Sequence, residues 1–469
     1  MNKQFNYNQT YIWLICITAA MGGFLFGYDW VVIGGAKPFY EPYFNLTSAT
    51  QKGWGTSSAL VGCMAGALLC AFISDKLGRK RLLIASGLLF SLSALGTALA
   101  DSFYMFNVYR IMGGVAMGIS LNLSPMYISE ISPPAKRGMF VTIMQLMVMF
   151  GVLLAQLINW QISLLDNSLP ANASLEVIAQ SWNGQKGWRW MFAAEFIPAI
   201  LFFVLMYFVP ESARWLIKNG QIEEAKKVFQ KIGGTAYAEF ELKDVGNTLS
   251  SENVARVNFK ELLNPRILKV IGLGIFLAFL QQWSGINMVI YYAADIFQAA
   301  GYDLKEMMLN IVVIGSVMVL SVFITLFTVD KFGRKSLLLL GTSSMVIVYI
   351  LIGLCFQLEA NNGLTVVLLI LINIMCYSIT LAPLLWVVLS EIFPNRIRGA
   401  AMSIAALAHW IGNFSLTFTF PAINEAIGWA NNFWMHGVIC AIGFLILYKF
   451  LPETKGKTLE EIERELIGS

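Results

Sequence analysis

Charged residues are scarce in this chain. Asp, Glu, Lys and Arg make up 13% of its 469 residues, where soluble domains carry about 25%. Apolar residues reach 57% and the mean hydropathy is +0.66. That composition leaves too little polar surface to solvate the roughly three domains a soluble chain of this length would form. Cysteine is limited to Cys16, Cys63, Cys70, Cys355, Cys376 and Cys440, all inside apolar stretches and none in a C-x-x-C pair. There is no zinc spacing and no disulfide framework, and such thiols behave as small hydrophobes. No nucleophile–base constellation, metal-ligand spacing or Walker loop is present, so neither an enzyme, a metal site nor a cofactor is expected. The net charge of +4 gives no sign of a nucleic-acid partner. No small-residue cleavage site interrupts the first apolar stretch, which runs past Tyr28 and predicts a span, not a cleaved signal peptide.

What the chain has is long apolar runs. Twelve are long enough to cross a bilayer, which takes roughly 20 residues as a helix. They start near Tyr11, Gly53, Leu82, Phe103, Met139, Trp188, Leu268, Met307, Ser336, Leu364, Gly399 and Asn432. A polar segment from about Pro210 to Pro265, including IEEAKKVFQKIGG, predicts short helices at the membrane surface. One face collects Lys76, Arg79, Lys80, Arg81, Lys136, Arg137, Lys331, Arg334, Lys335, Arg396 and Arg398, along with the polar segment and the tail. The other holds only Lys37, Lys52, Lys186, Arg189 and Lys305. The positive-inside rule then puts both termini in the cytoplasm.

Two halves repeat each other. S-D75-K-L-G-R79-K80 recurs as V-D330-K-F-G-R334-K335, and S-E130-I-S-P-P-A-K-R137-G as S-E391-I-F-P-N-R-I-R398-G. P-E211-S after the sixth span recurs as P-E453-T after the twelfth. Three matches in one order predict two six-helix halves in parallel orientation, a transporter plan that holds substrate between the halves near midplane.

Three groups of residues carry candidate chemistry. Asp75, Glu130, Asp330 and Glu391 stand beside Arg79, Arg137, Arg334 and Arg398 at helix ends on one face. Guanidinium forks suit bidentate carboxylate pairing. Such pairs either latch the halves as a cytoplasmic gate or only anchor helix ends. Asp29 in GGFLFGYDW lies roughly 27 Å along the first span, and Arg110 in NVYRIMGG roughly 10 Å into the fourth from the other side, at a rise of 1.5 Å per residue. Their depths match, so they read as an intramembrane pair. The pair is either a proton carrier, with burial and the arginine setting its proton affinity in opposite directions, or a static ion pair. Finally, QQWSGINMVIYY in the seventh span places Gln281, Gln282, Asn287, Tyr291 and Tyr292 at membrane depth around Gly285. Gln145, Trp386 and the neighbours His409 and Trp410 add an amide and flat rings. Amides both donate and accept, which suits a neutral polyhydroxylated ligand; helix-to-helix hydrogen bonding is the alternative.

These motifs resemble the sugar porters of the major facilitator superfamily, and within them the bacterial proton-coupled D-xylose symporters. The resemblance runs from about Tyr11 through Lys457 and rests on GFLFGYD, YRIMGG, SPMYISEISPPAKRG, PESARWL, QQWSGIN with YY, VDKFGRK, SEIFPNRIRG and PETKGKT. It implies an all-α membrane protein of twelve transmembrane helices working by alternating access. Residues 1–209 would form one half, 210–266 a cytoplasmic helical linker, 267–451 the second half and 452–469 a cytoplasmic tail. The implied activity is proton-coupled import of a monosaccharide, pentose or hexose, by a monomer in a bacterial inner membrane. Its partners would be the sugar, the proton and the lipid bilayer. A facilitative uniporter and a non-transporting sugar sensor are the alternatives.

Carried over by motif, Gln145, Gln281, Gln282, Asn287, Tyr291 and Trp386 would bind the sugar, Phe26 would line the site and Trp410 would close it. Asp29 matches the acid that proton-coupled members keep where the facilitative animal glucose transporters have a neutral amide, and Arg110 matches its partner. Two departures leave the sugar open: His409 replaces the glutamine of xylose symporters, and Met318 stands near a common asparagine. His409 would reposition sugar hydroxyls.

Overall fold

Every expected span is helical in the computed structural model, which describes residues 5–166, 169–170, 173–252, 262, 264–358, 363–394 and 396–467. At 135, 246–252, 326–330, 459–460 and 467 it describes the backbone alone. The first five spans are Gln9–Tyr43, Ala49–Leu77, Arg79–Leu99, Phe103–Ile131 and Arg137–Ser163. The sixth to tenth are Asn183–Phe208, Pro265–Tyr291, Leu304–Phe332, Arg334–Gln357 and Gly363–Ile392. The eleventh and twelfth share the helical run Arg398–Phe450, broken at Gly428 (φ 76°, ψ 170°). With that break the described residues contain twelve apolar spans, each starting within five residues of its expected position. The chain is an all-α integral membrane protein of two six-helix halves.

Large apolar side chains point outward from these helices. Phe72, Leu99, Phe208 and Leu340 are all more than half exposed, which is stable only against lipid. Helices meet through small residues instead. A Cβ added to Gly62 or Gly66 of the second span, or to Gly114 or Gly118 of the fourth, would overlap the other helix's backbone. Without a hydrophobic force between helices in lipid, such close approach supplies the packing. Beside them Gly113 leaves room for Asp29, whose Oδ2 would lie 2.9 Å from an added Cβ.

Several spans are discontinuous. The sixth has a π turn at Asn183–Gly187 and a break before Phe196, the seventh breaks at Ser284–Gly285, and the tenth at Thr380 (φ −114°, ψ −80°). In a membrane, irregular backbone survives only where protein satisfies it.

Packing divides the chain into two compact units. The first contains Met1–Val32, Ser58–Ala155 and Arg189–Arg256; the second contains Ile33–Ser57, Gln156–Trp188 and Val257–Ser469. The ends of the first, second, fifth and sixth spans remote from the chain termini therefore group with the second unit. Chain order draws its boundary elsewhere because a helix as long as the first, at 35 residues, has different neighbours at its two ends. The polar segment forms Ala213–Lys218 and Ile222–Glu252, the latter kinked at Gly233 and Gly234. The N-terminal residues pack on it in the first unit: Asn8 N donates to Ile232 O (2.8 Å), and Phe5 and Tyr7 each stack edge-on at 5.3 Å from Tyr237.

Candidate substrate and proton sites

In the first unit, the first and fourth spans bring Asp29 and Arg110 together. Both are buried, at 1% and 2% exposure. Arg110 Nη1 donates to Asp29 Oδ1, and Nη2 lies 3.4 Å from the Asp29 carbonyl. The guanidinium also sits over the Phe192 ring, 5.5 Å from its centroid. Asp29 Oδ2 is buried with no hydrogen-bond partner. A second acid faces this pair. Glu195, at the break in the sixth span, is 3% exposed, interacts electrostatically with Asp29 and Arg110, and leaves its Oε1 without a partner. Two buried acids thus lie within electrostatic range of one guanidinium. Phe26, one turn before Asp29, is half-buried and stacks on Trp30 at 6.1 Å, while Gln145 is exposed on the fifth span.

In the second unit the polar residues of the seventh span form one network. Gln281 Nε2 donates to the Leu381 and Ala382 carbonyls (2.9 and 3.3 Å) just past the tenth-span break. Gln282 Nε2 lies 3.3 Å from Gln281 Oε1 and 2.9 Å from His409 Nδ1, while Asn287 Nδ2 donates to Gln282 Oε1. His409 packs against the Trp386 ring (5.4 Å) and edge-on to Trp410 (5.5 Å). Trp386 is 38% exposed, Trp410 is buried, and Tyr291 is buried on the short helix Ile286–Tyr291. Tyr292 turns away from this network and donates to Thr417 O (2.7 Å). The structure therefore gathers Gln281, Gln282, Asn287, His409, Trp386 and Trp410 around paired amides and flat rings. Gln281 spends its amide hydrogens on backbone, whereas Gln282 and Asn287 are paired with other side chains that a hydroxyl can replace.

The repeated charge motifs lie at the ends of the spans on the side of the termini. In the first unit Arg79 grips Glu130 with two N–H donors at 3.1 Å and Asp75 with a third at 3.1 Å. Lys218 reaches the other Asp75 oxygen at 2.7 Å, and Ser212 donates to Glu130. In the second unit Arg334 Nε donates to Glu391 (3.3 Å) and Arg398 Nε to the Phe393 carbonyl (3.2 Å). Arg137 is exposed, in electrostatic range of Glu241. The Asp330 side chain lies outside the described residues. Each of these described pairs joins residues of the same unit.

The P-E repeat has a structural use that the motifs alone do not reveal. Glu211 accepts from Arg79 N and Lys80 N (3.0 and 3.1 Å), capping the third span just after Gly78, at φ +90°. Glu453 does the same for the ninth span, accepting from Arg334 N (2.9 Å) beyond Gly333, at φ +83°. Only glycine fits there, since an added Cβ would crowd each carboxylate. Burial pushes the Glu211 carboxyl above its ordinary range despite these bonds. Burial also opposes ionised Glu453, but N–H donors from Lys455, Arg334, Ser336 and Thr454 outweigh it and hold its carboxyl below that range.

Residues 15–466 match the family model described as Sugar (and other) transporter. The chain is a sugar porter of the major facilitator superfamily. This sugar porter is 34% identical over 459 residues to the arabinose-proton symporter of Bacillus subtilis (strain 168), an alignment covering 98% of this chain and 96% of the relative. It is 35% identical over 494 residues to the D-xylose-proton symporter of Escherichia coli (strain K12), covering 99% and 97%. The solved inward open conformation of the xylose transporter XylE from E. coli superposes with a TM-score of 0.83 at 33% identity, covering 97% of the sugar porter and 100% of that chain.

Two residues at these sites escape a reading of the sequence. Glu195 stands alone in the apolar run MFAAEFIPAILFF, and an acid at that depth is itself a signal. Lys37 reads as a loop cation but is buried in the first span, 2.5 Å from Asp295.

Proposed function

We propose that this sugar porter imports a monosaccharide together with a proton, with a pentose as the first candidate. The observation that carries the coupling is the buried Asp29–Arg110 pair with Glu195 beside it. When the proton leaves, Asp29 closes on the guanidinium, so occupancy by a proton and the packing of the first and fourth spans are one equilibrium. At 100 mV one charge is worth about 2.3 kcal/mol, enough for roughly a 40–50-fold sugar gradient.

The sugar is bound by Gln282, Asn287, His409 and Trp386, with Gln281, Tyr291 and Trp410 beside them in the same unit. Hydroxyls exchange with the amide-to-amide and amide-to-imidazole bonds, and the tryptophan face covers the ring. The charged clusters around Arg79 and Arg334 keep each half rigid as access alternates. Both termini and the polar segment lie in the cytoplasm, the protein sits in a plasma membrane, and a monomer suffices. The names of the arabinose-proton and D-xylose-proton relatives support this reading.

The test is external pH in a weakly buffered suspension of energy-depleted cells making the protein, pulsed with xylose, arabinose, glucose or galactose. Alkalinisation with one sugar, absent in Asp29→Asn, is the expected result. Radiolabelled sugar entering without a pH change would make the protein a uniporter.

A further inference from the structure

A helix that breaks inside a membrane leaves its last carbonyls to be met from elsewhere. At the seventh-span break, where Gly285 takes φ +93°, Leu280 O accepts from Ser284 N and Gln281 O from Ser284 Oγ, both at 2.8 Å. The Trp283 and Ser284 carbonyls are met from the twelfth and ninth spans, and the tenth supports one of those donors. His436 Nδ1, from the twelfth, is 3.1 Å from Trp283 O. A carbonyl only accepts, so that nitrogen carries the hydrogen. The Tyr349 hydroxyl, from the ninth, donates to Ser284 O at 2.6 Å, and Asn373 Nδ2, from the tenth, donates to that hydroxyl at 3.0 Å. Tyr349, Asn373 and His436 are all 0% exposed. A Cβ on Gly285 would fall 2.5 Å from the Tyr349 hydroxyl and 3.1 Å from His436 Cγ, so both rings are packed against the break.

None of these three side chains belongs to the amide network, yet together they hold Trp283 and Ser284, which lie between Gln282 and Asn287. We infer that His436 and the Tyr349–Asn373 pair are positioning residues for sugar binding: by clamping the Trp283 and Ser284 carbonyls they fix the break, and with it the spacing of Gln281 and Gln282 before it to Asn287 after it. The inference rests on the sugar-site reading above. Its physical basis is that a polar site works only when its groups are held within a fraction of an ångström, and a broken helix has no ladder of its own to hold them.

Tyr349→Phe and His436→Phe each remove one donor and keep a ring. His436→Asn keeps a donor near the Nδ1 position, and His436→Gln moves it away. With the full chain purified in detergent, three quantities are measured: the Kd for D-xylose and L-arabinose, the melting temperature without sugar, and hydrogen exchange at amides 280–290. We expect a tenfold or greater rise in Kd in both Phe variants, faster exchange confined to the break, and recovery to within threefold in His436→Asn but not His436→Gln. Wild-type affinity in the Phe variants, even with a lowered melting temperature, would mean a merely structural role and overturn the proposal. Unchanged exchange at 280–290 would overturn it as well. If the wild type binds neither sugar, the sugar-site reading falls, and the exchange data still decide the clamp. Should one Phe variant not fold, the other, with the Asn and Gln pair at 436, carries the comparison.

Discussion

The Lys37 ammonium sits 2.5 Å from Asp295 Oδ2 and 3.4 Å from Glu41 Oε1, with the Tyr292 ring 4.5 Å away. In the second unit this joins the first span's far end to the short helix Ala293–Ala299 beyond the seventh. Lys37 is 3% exposed, so its charge depends on these partners. Asp295→Asn should cost about 1–2 kcal/mol, less than the 3–5 typical of a fully buried pair, because Glu41 remains. With Lys37→Met added, the total loss should be smaller than the sum of the two single losses. Thermal unfolding of the two single variants and the double variant checks the coupling; additive losses would mean that the pair does not interact.

Asp29→Asn should keep sugar counterflow and lose accumulation, taking a roughly 40–50-fold gradient at 100 mV to unity. Glu195→Gln should shift the pH dependence of uptake, since the asparagine or glutamine amide cannot supply the missing negative charge. Concentrative uptake by Asp29→Asn would remove that residue from the coupling.

The three amides of the seventh span should not respond alike. Gln282→Ala and Trp386→Ala should weaken sugar binding by about 1–3 kcal/mol, from buried partners left unpaired or lost aromatic contact. Gln281→Ala should act chiefly on stability, because its amide hydrogens serve the Leu381 and Ala382 carbonyls. Isothermal titration beside a melting curve separates the two effects. Unchanged affinity in both Gln282→Ala and Trp386→Ala would move the site elsewhere.

The two P-E carboxylates predict opposite responses to acid. Glu453 titrates below its ordinary range when folded. Its ionised form therefore stabilises above the unfolded value, and that stability is lost as pH falls through the lowered folded one. Glu211 is raised, so its ionised form costs stability at neutral pH, a cost relieved as pH drops below the raised value. Glu453→Gln should lose about 1 kcal/mol at pH 7, the usual worth of a helix cap, and converge on the wild type as pH falls through the lowered folded value. Glu211→Gln should be milder at pH 7. Melting curves of both variants across pH 3–7 decide it.

Much of this architecture is legible in the sequence, and the exceptions have physical causes. Spans announce themselves because lipid demands unbroken apolar length, and Asp29 and Arg110 pair on paper because rise per residue converts position into depth. Lys37 misleads because Pro38 follows it and proline ordinarily ends a helix, yet the helix continues to Tyr43. The Arg79 and Arg334 motifs show which charges gather, but not that they pair within their own half. That choice depends on how helix ends meet. His436, Tyr349 and Asn373 are single polar residues in apolar runs with no motif. The demand they answer arises at Gly285, in another span.

The two capping carboxylates carry a consequence for the order in which the protein is made. The third span's start is closed by a residue 132 positions later, and the ninth span's by one 119 positions later. A nascent chain emerging from the ribosome has its first three spans inserted long before Glu211 exists to clasp them. Each half is thus completed from its own trailing edge, and the short P-E motif after the last helix is the closing stitch of a six-span unit.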